Sequence, residues 1–545
     1  MKKITKILFI LFVSLFMSGC SYDLNINTNP NAPDATTPDL RLPPILNIVN
    51  DVYGSHGTRV GGLTQFLGAI PGTGSSGRNY NICFWYFSAN VDAYVWQTCY
   101  VYGLTNIFAL YKEAEKVGAW QYVGVGKVME AFVWGILIDA YGVVNYDEAC
   151  KGVFTPGYQD AEYVYPKILQ ICDEAIDNLG KTQDGLAPAL SLADNVYNGD
   201  VAKWIKFAKA LKARTMSHLN KKAKGTGATQ YNPEAILALI AQSFTSNADD
   251  ADFKYSGTST TRSILHVNYS ANFKIGSLFR DYMLNDLPGT GKSWNSGIVD
   301  PRADLMLPKI TANIAEKGQY SFGIDFQSIG SDFTAQIPFV PANNADGRYV
   351  GLITTAGGPG NTVLNYTTTP FPYLSYAELK FIEAETYFRM DNKAAALVSY
   401  KAAIAAHIDK ISQIATLVGL NPITATAKSN FLSSAAVAQT TDELTLSHIM
   451  MQKYIALNFS PENWTDMRRN DYCNNSSGIY DEVAGVYKGY KKPKYAYIIN
   501  FPGASDFPRR YPMAYYETTY NAEMVRPFGV FDNNYMTKPI WWDKN

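Results

Sequence analysis

Residues 376–410 read YAELKFIEAETYFRMDNKAAALVSYKAAIAAHIDK. Apolar and small residues recur every three or four positions on both sides of Asp391-Asn392, which predicts two helices, over 373–391 and 393–410. Counted from Ala377, the residues Ala384, Tyr387, Ala396, Tyr400 and Ala403 fall at positions 8, 11, 20, 24 and 27 of a 34-residue window. Those are tetratricopeptide positions: small side chains let two helices cross closely, and large ones lock between them. The proline usual near the end of such a repeat is absent, and Ile408 stands there. The expected fold is mainly α, built of tetratricopeptide-like helical repeats.

The helical period continues outward. It predicts helices over 88–116, 119–141, 162–179 and 200–220, the last capped by Asp200, and a short one over 233–242 opened by Pro233. Two more are expected over 441–459 and 461–469. Residues 245–370 break the pattern: they are rich in Gly, Ser, Thr, Asn and Pro and predict an irregular, loop-rich ligand-binding region. The Tyr-, Pro- and Asn-rich end of the chain is expected to wrap the helical body. A length of 545 residues suggests about three or four domains. The repeats replace that with a single domain over 45–545: helical core at about 45–244 and 371–470, loop-rich region at about 245–370, tail at about 471–545.

The N-terminus predicts export. Lys2, Lys3 and Lys6 precede an apolar run, Ile7 to Met17, broken only by Ser14. The run is too short for a bilayer, which takes about 20 residues, and has the shape of a secretory signal. Ser18, Gly19 and Cys20 follow. The stretch resembles a bacterial lipobox, with Met17 where Leu is usual. The expectation is a lipoprotein signal peptide over 1–19 and lipidation of Cys20, palmitate included, with each buried CH₂ contributing about 0.8 kcal/mol of anchoring. Residues 20–44, which hold Asn25, Asn27, Asn29, Pro30, Pro33, Pro38, Pro43 and Pro44, read as a lipidated tether. No later segment has 18 consecutive apolar residues.

Charge and motifs exclude several chemistries. There are 47 basic and 48 acidic residues; removing Lys2, Lys3 and Lys6 with the signal leaves 44 basic against 48 acidic. A duplex nucleic-acid binder normally carries a basic excess, so no nucleic-acid partner is expected. Beyond Cys20 the cysteines are Cys83, Cys99, Cys150, Cys172 and Cys473, an odd number without a CxxC pair. Cys172 reads as core, and a Cys83–Cys99 bridge is compatible with the sequence but not demanded by it. Gly289-Thr290-Gly291-Lys292-Ser293 ends like a phosphate-binding loop, but Asp286 stands where the first Gly is needed. His56, His218, His266, His407 and His448 show no zinc-hydrolase spacing, and no GxSxG elbow occurs. Glu378, Glu383 and Glu385 share a helix and read as solvated or interhelical; Asp139, in an apolar helix, reads as a buried acceptor. No catalytic residue, metal or cofactor is expected.

Aromatic residues are the remaining lead. The chain has 38 Tyr, more than its 27 Phe and 9 Trp together. Flat rings stack on the apolar faces of sugars, while Asn and Asp read hydroxyls. Asn79, Tyr80, Trp85 and Tyr86 lie between a Gly/Ser loop and a helix, and Trp294 is flanked by Ser293, Asn295 and Ser296. These five are the ligand-binding candidates. Trp96, Trp134, Trp204 and Trp464 lie at helical spacing and read as core. Tyr387 and Tyr400 belong to repeat packing, so the Tyr available to a ligand is that of 79–87, of 245–370 and of the tail.

In chain order, six segments carry a family resemblance: Ile138-Asp139-Ala140-Tyr141-Gly142; Gly199-Asp200 through Arg214; Asp300-Pro301-Arg302; Tyr376 to Glu385; Gln452 to Leu457 with Trp464 to Arg469; and Pro508 to Pro512 with Glu517. With the opening Asn27-Thr28-Asn29-Pro30-Asn31-Ala32-Pro33, the chain resembles the SusD/RagB family, specifically its SusD-like nutrient-binding outer-membrane lipoproteins. The resemblance implies about four tetratricopeptide-like helix pairs. It implies a lipid-anchored protein on the outer face of the outer membrane that binds a nutrient, such as an oligosaccharide. It also implies delivery to a SusC-like TonB-dependent transporter, and no catalysis. Surface lipoproteins of this kind often carry an acidic cluster after the lipidated Cys; here only Asp23 stands there. The rival readings are a helical-repeat adaptor that holds only membrane proteins and a secreted glycan hydrolase.

Overall fold

The computed structural model describes residues 36–69, 82–87, 93–258, 261–268, 273–287, 294–309, 320, 325–326, 362–494, 496 and 499–544. Its main helices are α1 (Pro38–Leu63), α2 (Thr105–Lys116), α3 (Trp120–Tyr141), α4 (Ala161–Leu179), α5 (Val201–Ser217) and α6 (Pro233–Ala241). There follow α7 (Ser277–Leu284), α8 (Tyr376–Arg389), α9 (Lys393–Leu417), α10 (Ala425–Leu432), α11 (Leu446–Ala456), α12 (Glu462–Arg469) and α13 (Tyr515–Tyr520). Sheet among the described residues is limited to three two-stranded ladders, such as Leu67–Ala69 antiparallel to Phe273–Ile275. The fold is mainly α, of helical repeats.

Helices start where a side chain can accept a free backbone N–H. Asp160, Asp200, Asn232, Ser375 and Asn392 cap α4, α5, α6, α8 and α9 in this way, each cap worth about 1 kcal/mol. Successive helices then pack side by side: α3 on α4, α4 on α5, α5 on α6, and α8 on both α9 and α11. Ala384, Ala396, Tyr400 and Ala403 are fully buried at the α8–α9 crossing. Without the expected proline, α9 runs to Leu417, past the predicted stop at 410. At the α3–α4 crossing a Cβ on Gly124 would sit 2.6 Å from Leu179, so only glycine permits the approach.

The start of α1 also differs from the sequence expectation. The stretch read as tether to residue 44 is already helix from Pro38, with Pro43 and Pro44 inside α1. An interior proline costs about 3 kcal/mol. Leu42, Ile45, Leu46, Val49, Val52 and Tyr53 line one face at helical spacing and are buried. At about 1.5–3 kcal/mol per buried side chain, that face outweighs the prolines. Arg41 fixes the start: its Nε and Nη2 donate to Glu113 of α2 at 2.5 and 2.6 Å.

The segments that carry the family resemblance meet in the interior as ion pairs. Arg214 of α5 donates two hydrogen bonds of 2.6 Å to Glu378 of α8. Arg469 of α12 grips Glu385 with two of 2.5 Å and also holds Asp466, which lies 2.8 Å from Lys453 of α11. Arg302 donates to Asp300 and Gln452 at 2.5 Å each. His218 sits 2.6 Å from Glu462 and 3.5 Å from Asp139, whose carboxylate accepts from Tyr165 at 2.5 Å. The tail closes over these helices: the Tyr511 N–H donates to the Ala140 carbonyl at 2.7 Å, and Asp543 accepts from Lys221 and Arg509. Asp139 is an acceptor, as read, but only partly buried, with 14% of its side chain exposed. Glu378 and Glu385 are interhelical, and Glu383 accepts from Ser399 of α9.

Among the described residues, Cys83, Cys99, Cys172 and Cys473 are buried, Cys150 is exposed, and none forms a disulfide. Cys83 and Cys99 form no bridge. Among the described residues no helix is long and apolar enough to cross a membrane.

Candidate functional site

Two of the five sequence candidates are core. Trp85 is completely buried against Phe501 and Phe507, with ring centroids 5.3 and 5.4 Å away, and its backbone takes φ of +59° to turn the ring inward. Trp294 is 2% exposed and packs on Tyr282 and His448. Neither ring offers a face to a ligand. The large apolar area of an indole favours burial wherever a loop can fold beneath neighbouring chain, and here the tail and α11 supply the cover. Tyr86 is half-buried. Asn79, Tyr80 and Cys20 lie outside the described residues. Trp96, Trp134, Trp204 and Trp464 are buried, as their spacing predicted.

A different aromatic cluster opens to the surface. The helix Ala93–Gln97 passes into a π-helix, Thr98–Leu104, before α2 begins. The wider turn of a π-helix re-aims neighbouring side chains and recurs at functional sites. Here it brings Trp96, Gln97, Tyr100 and Val101 to one wall of a cleft of about 340 Å³. Asn145 and, from α13, Tyr516 and Glu517 form the other wall. Trp96 is 4% exposed, Val101 is 50% exposed, and Tyr100 and Tyr516 are half-buried.

Hydrogen bonds hold these walls. The Trp96 indole N–H donates to Glu517 Oε1 at 3.0 Å, and the Tyr158 hydroxyl donates to Glu517 Oε2. The Tyr100 hydroxyl donates to the Asn145 carbonyl and accepts from the Asn145 N–H, both at 3.0 Å. Burial raises the Tyr100 hydroxyl well above its ordinary pKa, and burial plus the Glu517 charge raises that of Tyr158, so both remain proton donors. Trp96 lies 4.9 Å from Tyr100 and stacks on Tyr158 at 6.4 Å. Ring contacts continue from Trp96 through Tyr141 and Tyr511 to Phe87. The described end of the 79–87 segment therefore adjoins this cluster.

Chemically the cleft suits a small polar ligand with flat apolar faces: it offers ring surfaces, one carboxylate and one amide from Gln97. A larger groove of about 1170 Å³ lies between 298–309 and 420–431. The two rings that line it among the described residues, Tyr320 and Phe431, are buried and present no exposed stacking face. A cavity of about 40 Å³ lies between Asp139, Arg214, His218, Glu462 and Arg468, too small for a nutrient. No cluster among the described residues could hold a metal ion. Sequence reasoning read Trp96 as core, which its 4% exposure bears out, and did not single out Gln97, Tyr100, Asn145, Tyr516 or Glu517. The Tyr-rich tail was the one signal that pointed to Tyr516.

The family profile described as SusD-like, starch-binding associating with outer membrane, matches residues 30–485. Among solved structures, a chitin-binding protein is 20% identical, with a TM-score of 0.67 over 93% of this chain and 100% of that one. A SusD/RagB family protein from Bacteroides thetaiotaomicron is 21% identical, with a TM-score of 0.63 over 93% of this chain and 99% of that one. A SusD homologue from Bacteroides fragilis is 19% identical, with a TM-score of 0.67 over 94% and 100%. No curated protein matches the chain.

Proposed function

The chain belongs to the SusD-like family, whose members associate with the outer membrane, and from that premise we propose that it is a surface lipoprotein that captures a nutrient glycan. The aromatic cleft at Trp96, Tyr100, Tyr516 and Glu517 is the binding site, and the single observation that carries this is its pairing of accessible ring surface with polar groups. Tyr100 and Tyr516 offer stacking surface, while Gln97 and Glu517 hydrogen-bond hydroxyls. At about 340 Å³ the cleft takes one or two sugar rings, so a longer glycan would extend past Val101. Cys20 carries the lipid, and residues 21–37 link it to α1. The partner is a SusC-like TonB-dependent barrel that receives the glycan, with the helical repeats facing it. No step of this role requires catalysis, a metal or a cofactor.

Family membership supports the glycan class and the membrane, and the relative described as chitin-binding supports polysaccharide fragments as probes. Calorimetry of the chain lacking residues 1–20 with malto- and chito-oligosaccharides tests the reading. Saturable binding of one series, reduced at least tenfold by Tyr516→Ala, is expected. Binding that survives Tyr516→Ala and Gln97→Ala unchanged would place the ligand elsewhere.

A further inference from the structure

We infer that the cleft selects a glycan bearing a protonated amine, an amino-sugar unit, over its neutral counterpart. This rests on the proposed function and deepens it. The carboxylate of Glu517 faces the cleft with only neutral donors on it, the Trp96 indole N–H at 3.0 Å and the Tyr158 hydroxyl. It makes no ion pair with any described lysine or arginine. Glu378, Glu385 and Asp466 are each paired with Arg or Lys, and Asp194, which has no cationic partner, is filled by four N–H donors; Glu517 has two donors and faces open space.

Two hydrogen bonds occupy about half of the acceptor sites of a carboxylate. The remaining lone pairs can take N–H donors from a ligand. Around the carboxylate stand the rings of Trp96, Tyr100, Tyr158 and Tyr516. Aromatic faces attract cations through the ring quadrupole, most strongly where water is excluded. A partly buried carboxylate inside a ring of aromatic side chains is therefore a receptor for an ammonium group. A neutral sugar would leave the Glu517 charge partly desolvated and unpaired, which is unfavourable. An ammonium supplies the missing charge and two or three donors in one group.

The comparison that isolates the charge uses two probes of one skeleton: a chito-oligosaccharide and its fully deacetylated form. They are titrated at pH 6 into the chain lacking residues 1–20, and into Glu517→Gln and Tyr516→Ala. Gln at 517 retains an acceptor for Trp96 and a donor toward Tyr158, so the cleft keeps its shape. The deacetylated form is expected to bind at least tenfold more tightly. Glu517→Gln should abolish that preference, and raised salt should weaken the binding, as charge pairing at a half-exposed site demands. Equal affinity for the two forms, or a preference for the acetylated one, would overturn the inference. So would a preference for the amine that persists in Glu517→Gln, or tighter binding of oligolysine than of any amino sugar. If a neutral oligosaccharide binds and Tyr516→Ala removes it while the deacetylated form does not bind, the glycan reading stands and the amine selection falls.

Discussion

Replacing Arg214 by Met tests whether the ion pairs hold the repeats together. The guanidinium makes two hydrogen bonds of 2.6 Å to Glu378 and one of 2.8 Å to the Tyr373 carbonyl, with 5% and 2% of the two charged side chains exposed. Methionine matches the aliphatic part of the side chain and removes the charge. Glu378 is then left buried without its direct partner, and breaking a buried pair this way costs about 3–5 kcal/mol. Unfolding entropy is about 2.1 cal/mol/K per residue, so the roughly 430 described residues give about 0.9 kcal/mol/K. The melting temperature should therefore fall by about 3–5 °C in differential scanning calorimetry. The double substitution Arg214→Met with Glu378→Leu removes both charges and should recover most of the loss, because the penalty lies in the orphaned carboxylate rather than in the missing attraction. An unchanged melting temperature in Arg214→Met, or a double variant no more stable than the single one, would refute this reasoning.

Other outcomes follow from the same geometry. Burial opposes a charge on His218, but Glu462 and Asp139 outweigh it and hold its pKa above the ordinary 6.5. A raised folded pKa contributes stability that is full below about pH 6.5 and is lost as pH rises through the folded value. The melting-temperature gap between the native chain and His218→Gln should thus narrow from pH 6 to pH 9; a constant gap would refute the assignment. A Cβ at Gly57 would lie 1.8 Å from the Phe459 carbonyl oxygen, so Gly57→Ala should lose cooperative unfolding by circular dichroism. Only Cys150 is exposed among the five described cysteines, so a chain lacking residues 1–20 should react with one equivalent of a thiol reagent when native and five when unfolded. Trp85→Ala and Trp294→Ala should each destabilise the fold by about 3–5 kcal/mol, and Trp85→Phe and Trp294→Phe should bind glycan with unchanged affinity.

The helical scaffold was legible because its signals are local. Asp200 and Pro233 mark helix starts through their own chemistry, and Ala384, Ala396 and Ala403 mark a crossing through size alone. The start of α1 was obscured by Pro43 and Pro44, whose local preference against helix is overridden by burial of Leu42, Ile45 and Leu46. The candidate site was mostly hidden. Trp85 and Trp294 sit among loop-forming residues, yet Phe501 and His448, far away in sequence, cover them. The cleft joins residues near 96–101 to 516–517, and a π-helix turns its first wall. Neither feature leaves a periodic trace, since π-winding follows from packing and a contact across some 400 residues follows from topology.

The proposed role depends on where the ligand sits. A crystal structure of the chain with the oligosaccharide chosen by calorimetry tests it most directly. A sugar ring is expected on Tyr516 or Tyr100, with hydroxyl or amine hydrogen bonds to Glu517 and Gln97. A glycan seated instead between 298–309 and 420–431, with the cleft at Trp96 free of sugar, would contradict it.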